Sequence, residues 1–240
     1  MSNIEIIDEF WFYALSISAD HIEMTEEEVF HMFRVLRIIP DTRVLVTDGK
    51  GRLAHATITE IGKKSIAFTD IEVEHIPQYS YDLHVGIAPT KNINRFEWFL
   101  EKATEIGIGR ITPIITEHSE RKHIRPDRLE KIIVAAMKQS KKAYKPILTD
   151  IMNFESFVAQ KPMDTSGYFA YLGKNSGHLK NELGTTNHHC VLIGPEGGFS
   201  ANECLVAEKS GFKSVSLGKS RLRTETAGIV ASQIIAMHYE

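Results

Sequence analysis

Two short stretches in the last quarter of the chain carry residues able to do chemistry. They are Ile193-Gly194-Pro195-Glu196-Gly197-Gly198-Phe199-Ser200 and Leu217-Gly218-Lys219-Ser220-Arg221-Leu222-Arg223-Thr224-Glu225-Thr226-Ala227. Glycine lets a ligand approach the backbone without a Cβ in the way, and a loop that opens a helix presents unpaired N–H groups. Arg221 and Arg223 lie two apart, so on an extended segment both face one side and can grip one phosphate or one base edge. Glu196 and Glu225 add carboxylates, although Glu225 in a first helical turn also complements the helix dipole.

The first loop is neither G-x-G-x-x-G, because Pro195 and Glu196 fill the wrong positions, nor a P-loop, because Gly-Lys-Ser/Thr is missing. An acid at Glu196 repels a polyphosphate and tolerates a cation. A sulfonium such as S-adenosylmethionine suits it, with apolar walls from Leu192, Ile193, Leu217 and Leu222. A purely structural strand-to-helix turn accounts for the same composition.

The elements that must position these loops read as two regions. Residues 1–76 are strand-rich: Phe10 to Leu15, Arg43 to Asp48, Arg52 to Glu60 and Ser65 to Val73, with a turn at Asp48-Gly49-Lys50-Gly51. One helix interrupts them after a capping box at Thr25 and Glu28, so a small β-barrel with one helix is expected. Ile76 to Ser80 is the expected linker, and residues 77–240 alternate strand and helix, which argues for an α/β layer with a largely parallel sheet. Strands are expected at Leu83 to Ala88, Arg110 to Ile115, Gly167 to Leu172, His189 to Ile193 and Ser214 to Leu217. Asn94 is expected to cap one helix, Pro126 to open another, and Ser200 with Glu203 to form a second capping box.

Composition sets the bounds. The 240 residues are 42% apolar and 25% charged, ordinary for a globular protein. No run spans a bilayer and the N-terminus lacks signal-peptide features, so a soluble cytoplasmic protein with no membrane partner is expected. Cys190 and Cys204 read as buried free thiols and no metal site is expected. The net charge of −3 hides an asymmetry, because residues 1–76 carry 7 Lys and Arg against 14 Asp and Glu, and the remainder carries 21 against 17. Arg121 to Lys145 concentrates nine basic residues, which attract phosphate or form a solvated helix face.

The run IGPEGGFS followed by LGKSRLRTETA resembles the signature of the RsmE family, the 16S ribosomal RNA uridine N3-methyltransferases of the SPOUT class. Pro89-Thr90-Lys91, FEWFLEKATEIG (Phe96 to Gly107), Thr116 to Arg121 and Gln139-Ser140 are similar to further landmarks of that family. His31 to Arg37 followed by Asp48-Gly49 is similar to its N-terminal domain. The resemblance implies an α/β protein: a PUA-like RNA-binding β-barrel over 1–76 and a SPOUT α/β domain with a deep trefoil knot over 77–240. It implies S-adenosylmethionine as cofactor, held by Leu172, Gly173, Ile193, Gly194, Pro195, Glu196, Gly197, Gly198, Leu217, Gly218, Leu222, Thr226 and Ala227. RNA contacts are implied at Arg34, Arg37, Arg121, Lys122, Lys141, Lys142 and Arg221. The implied partners are 16S ribosomal RNA or the small subunit, and a second copy in a homodimer. Two departures stand out: Glu9 occupies a position where an arginine is common, and Lys141-Lys142 replace an arginine after Gln139-Ser140, supplying charge without the bidentate fork.

The implied reaction is methylation of N3 of a specific uridine in the decoding region. Arg223 is expected to donate to the uracil carbonyl oxygens, with Glu196 or Glu225 as proton acceptor, on a base that is unpaired or flipped. A methyltransferase of the same class acting on transfer RNA and a non-catalytic RNA-binding assembly protein are the alternatives.

Overall fold

The computed structural model describes residues 10–171, 173 and 176–240. It divides into two compact units: residues up to Gln78 with Met137–Lys145, and Tyr79–Ala136 with Pro146–Glu240. Glu9 and Leu172, both singled out from the sequence, lie outside the described residues.

In the first unit, β1 (Trp11–Ile17), β2 (Ile22–Met24), β3 (Arg43–Thr47), β4 (Arg52–Ile61) and β5 (Ile66–His75) form one sheet of order β2-β1-β3-β4-β5. This is the PUA-like sheet, curled as a half-barrel whose edges among the described residues are β2 and β5. Phe12, Ala14, Val44, Val46, Ala56 and Ile58 line its buried face, which the alternation in these strands dictates. Helix α1 (Glu26–Phe30) starts as expected, the Thr25 hydroxyl accepting from the Glu28 N–H at 3.1 Å. The other half of that capping box does not form. The Glu28 carboxylate accepts instead from Lys138 Nζ at 2.8 Å and from the Tyr13 N–H at 3.3 Å. The segment Met137–Lys145, expected to follow the second region, belongs to this unit: the Tyr144 hydroxyl donates to the Ile76 carbonyl at 2.9 Å.

The second unit contains β6 (Asp82–Ile87), α2 (Ile93–Ile106), β7 (Arg110–Ile115), the body of α3 (Pro126–Gln139), β8 (Ile147–Leu148), β9 (Met152–Asn153), α4 (Phe154–Ala159) and β10 (Ser166–Ala170). It continues through β11 (Gly177–His178), α5 (Leu179–Glu182), β12 (His188–Ile193), α6 (Ala201–Lys209), β13 (Phe212–Ser216) and α7 (Thr224–Ala236). The sheet is parallel throughout, of order β11-β13-β10-β12-β6-β7-β8, with β9 beside β7. Its central strands are buried on both faces, so Val191, Leu192 and Ile193 form a continuous apolar run. Helix α2 is capped by Asn92, whose side chain accepts from the Asn94 N–H at 3.1 Å. The cap therefore falls two residues before the expected Asn94.

Helix α7 packs Ala227, Ala231 and Ile235 into this core. Gly228 is required there, because a Cβ would lie 2.6 Å from Cε2 of Phe99 on α2. That close approach fixes the start of α7 against α2 and hence sets Arg223 and Glu225 beside Arg95 and Trp98.

The amino ends of β6 and β12 carry buried polar groups. Nε2 of His84 lies 2.7 Å from the Thr112 hydroxyl and Nε2 of His189 lies 2.6 Å from the Tyr239 hydroxyl. Burial, then nearby Arg110, brings His84 down to about 4. Burial, then His238 and His188, does the same to His189. Burial also pushes the Cys190 thiol up to about 12, whereas Cys204 is only partly buried; both thiols are free. Unfolded histidines take up protons near 6.5, so the neutral native imidazoles contribute fully above that pH and lose their contribution as pH falls toward 4. The urea midpoint is expected to drop between pH 7 and pH 5, and His84→Gln to flatten that drop. Equal midpoints at both pH values would contradict the assignment.

Candidate active site

The carboxyl ends of β10, β12 and β13 are neighbours, and both glycine loops leave the sheet there. The first loop runs from Ile193 into α6, where the second capping box is complete. Ser200 Oγ accepts from the Glu203 N–H at 3.2 Å and Glu203 Oε2 accepts from the Ser200 N–H at 2.8 Å. The other oxygen of Glu203 accepts from the Glu117 N–H at 2.9 Å, just beyond β7. One buried carboxylate thus fastens two loops that are 86 residues apart in the chain. His118 Nδ1 adds a contact to the Gly198 carbonyl at 3.0 Å.

Glu196 is exposed, and its carboxylate accepts from the Lys91 N–H at 3.1 Å. Arg121 donates to the carbonyls of Thr90 and Lys91, at 3.1 and 2.7 Å. Both side chains therefore hold the segment after β6 in place. A guanidinium engaged with backbone carbonyls has fewer N–H groups left for phosphate.

The second loop turns at Gly218, whose φ of +130° lies in the left-handed region that side chains avoid. An added Cβ would meet no atom there, so the requirement is conformational. Arg223 occupies the N-cap position of α7 without a side-chain cap bond, leaving its guanidinium to face outward. The Thr224 hydroxyl donates to the Gly194 carbonyl at 3.0 Å and Arg221 Nη2 donates to the Glu196 carbonyl at 3.4 Å, joining the two loops directly.

Between them lies a cavity of about 650 Å³. Of the residues expected to hold a cofactor, Ile193, Gly194, Pro195, Glu196, Gly197, Gly198, Leu217, Gly218, Leu222 and Ala227 line it. Arg221 and Arg223 share the wall. Thr226 lines an adjoining pocket of about 580 Å³ with Glu225, and Gly173 is not among the described residues lining either. Sequence reading missed Arg95 and Tyr171 in the first space and Trp98 in the second. Trp98 lies inside the landmark FEWFLEKATEIG and Tyr171 adjoins Leu172-Gly173, but their place in the site depends on how α2 and β10 come beside the loops.

The expected RNA contacts are distributed over both units. Arg34 sits in a five-residue π-helical turn, His31–Val35, its guanidinium 5.4 Å from the centre of the Phe33 ring. Arg37 and Lys141 each adopt a left-handed φ of 53°. Both belong to the first unit with Lys142, whereas Arg121, Lys122 and Arg221 belong to the second. Among the described residues no cluster of His, Cys, Asp or Glu could hold a metal ion. No helix among them is long and apolar enough to cross a membrane.

A parallel sheet with a cavity walled by loops at its carboxyl edge defines an α/β domain whose cavity lies where open α/β sheets bind their ligands. The chain belongs to the RNA methyltransferase family: the family model described as RNA methyltransferase domain matches residues 77–236, and that described as RNA methyltransferase PUA domain matches residues 24–71. It is 27% identical over 232 residues to the ribosomal RNA small subunit methyltransferase E of Aquifex aeolicus, covering 95% of this chain and 99% of that one. A probable rRNA-methyltransferase from Porphyromonas gingivalis superposes with a TM-score of 0.87 at 37% identity, over 95% of this chain and 98% of that one. A methyltransferase from Legionella pneumophila, solved with bound S-adenosylmethionine, superposes with a TM-score of 0.86 at 25% identity, over 97% and 98%. The group that IGPEGGFS and LGKSRLRTETA resemble is the group these relatives represent.

Glu203→Ala removes the acceptor of two backbone N–H groups at a site only 4% exposed. Its expected cost is about 1–3 kcal/mol, read as a lower urea midpoint. An unchanged midpoint would refute the fastening role.

Proposed function

We propose that this chain transfers the methyl group of S-adenosylmethionine to N3 of one uridine in the decoding region of 16S ribosomal RNA. The supporting observation is the cavity itself, enclosed by both glycine loops and walled on one side by Arg221, Leu222 and Arg223. Its volume of about 650 Å³ falls in the range of small-molecule sites. Ile193, Leu217 and Leu222 supply apolar wall, the glycines leave backbone groups accessible, and the acid at Glu196 suits a cation better than a polyphosphate. Leu172, Gly173, Thr226 and Ala227 complete the set carried over from the family.

The bound cofactor supplies an electrophilic methyl group on sulfonium sulfur. The protein must hold the acceptor nitrogen in line with it and stabilise the charge that N3 deprotonation spreads onto the uracil oxygens. Arg223, exposed at the wall, donates to those oxygens; Glu196 and Glu225 are the carboxylates near enough to be considered for the proton. The base enters unpaired, because its Watson–Crick edge is the reacting edge. Arg34, Arg37, Lys122, Lys141, Lys142 and Arg221 meet RNA phosphates. The reading also includes the trefoil knot, a homodimer and action in the cytoplasm on 16S ribosomal RNA or the small subunit.

Arg223→Ala is expected to bind S-adenosylmethionine as the wild type does in calorimetry and to methylate 16S RNA about 100-fold more slowly. Near-normal turnover would remove Arg223 from the mechanism. RNA affinity is expected to fall with salt, log K against log salt sloping by about −0.7 for each single-strand phosphate neutralised. A flat response would leave the basic residues as a solvated surface.

A further inference from the structure

The pocket next to the cavity contains a carboxylate that the protein leaves incomplete. The Glu225 side chain is 9% exposed and its Oε2 is buried with no hydrogen-bond partner. Its Oε1 lies 3.8 Å from Nε of Arg95. A buried acceptor without a donor is unfavourable, so one that is retained calls for a functional reason such as a ligand or a catalytic role. Glu225 lines the pocket, and an occupant bearing an N–H can supply the missing donor.

The other lining residues narrow the occupant. Arg95 and Arg223 offer donors beside this acceptor, and Trp98, 42% exposed on α2, offers a flat apolar face. A planar ring stacks on such a face. Two donors with one acceptor match an edge that reads carbonyl, N–H, carbonyl, which among the RNA bases is the imide edge of uracil. Cytosine turns an amino group toward an arginine and a ring lone pair toward the carboxylate. Arg95, Arg221, Leu222 and Arg223 wall both this pocket and the cavity, so a ring here lies next to whatever fills the cavity.

We propose that this pocket receives the target uracil, with Trp98 as stacking plate, Arg95 and Arg223 at the carbonyl oxygens and Glu225 Oε2 accepting the N3 proton. The assignment rests on the reading of the cavity as the S-adenosylmethionine site. The N3–H bond breaks and its proton passes to Glu225. N3 bonds the methyl carbon as the carbon–sulfur bond breaks, and that electron pair neutralises the sulfonium. Glu225 then releases the proton to solvent. Glu225 is assigned ahead of Glu196, which is exposed and whose Oε1 accepts from the Lys91 N–H.

The test uses the full chain, S-adenosylmethionine and unmodified 16S RNA transcript under single-turnover conditions. Glu225→Gln keeps the shape of the side chain and is expected to bind S-adenosylmethionine within about threefold of wild type while its methylation rate falls about 100-fold or more. With 5-fluorouridine in the transcript, whose N3–H is more acidic, that loss is expected to shrink about tenfold. Trp98→Ala is expected to raise the half-saturating RNA concentration about tenfold without changing cofactor affinity. If the wild type neither binds S-adenosylmethionine nor methylates the transcript, the parent reading falls. If the wild type is active and Glu225→Gln keeps more than half its rate, the pocket assignment alone falls. Should Glu225→Gln lose cofactor affinity, Trp98→Ala decides: unchanged RNA kinetics overturn the proposal, including the case in which that variant only shifts a dimer to monomer.

Discussion

The hydrogen bond from the Thr224 hydroxyl to the Gly194 carbonyl, at 3.0 Å, ties the end of one central strand to the start of the last helix. Both glycine loops depend on it, since each leaves the sheet from a different strand and neither closes a cavity alone. Gly228 reinforces it by letting α7 approach the Phe99 ring on α2, so that α7 cannot slide away from the strand it is bonded to. Glu203 anchors the far side by holding the β7 loop and the α6 start with one carboxylate. The site is a product of strand ends, a helix start and three short tethers.

The electrostatics follow from this arrangement. Charges that looked available along the chain are partly committed to fixing backbone: Arg121 to two carbonyls, Glu196 to the Lys91 N–H and Glu28 to the Tyr13 N–H. The arginines at the second loop are held near the cavity by their backbone, and Glu225, which lines the adjoining pocket, is kept buried with its Oε2 lacking a hydrogen-bond partner. Selection among similar charged side chains is therefore made by packing, not by residue type.

Much of the fold could be read along the chain because strand and helix periods are local. The five long strands of the second unit, the helix opened by Pro126 and the complete box at Ser200 and Glu203 lie where patterning puts them. The two-residue strands β8, β9 and β11 escaped because such lengths carry no period. Both loops of the site were legible from glycine and arginine spacing, and the family resemblance named the rest of the cofactor set. The Glu203 bond to Glu117, the inward turn of Arg121, and Arg95 and Trp98 beside Glu225 were not legible. Each joins segments that meet only once the sheet order β10-β12-β6-β7 is known. The grouping of Met137–Lys145 with the first unit is of the same kind, since no change of composition marks it.

The central claim is that the two tethered loops and their arginines serve methylation of one uridine in small-subunit RNA. Mass-spectrometric mapping of 16S ribosomal RNA from cells lacking this protein, with and without restoration of the intact gene, tests it most directly. The account predicts loss of a single 3-methyluridine and its return on restoration. An unchanged set of 16S modifications, or loss of a methyl group from a transfer RNA instead, would contradict it.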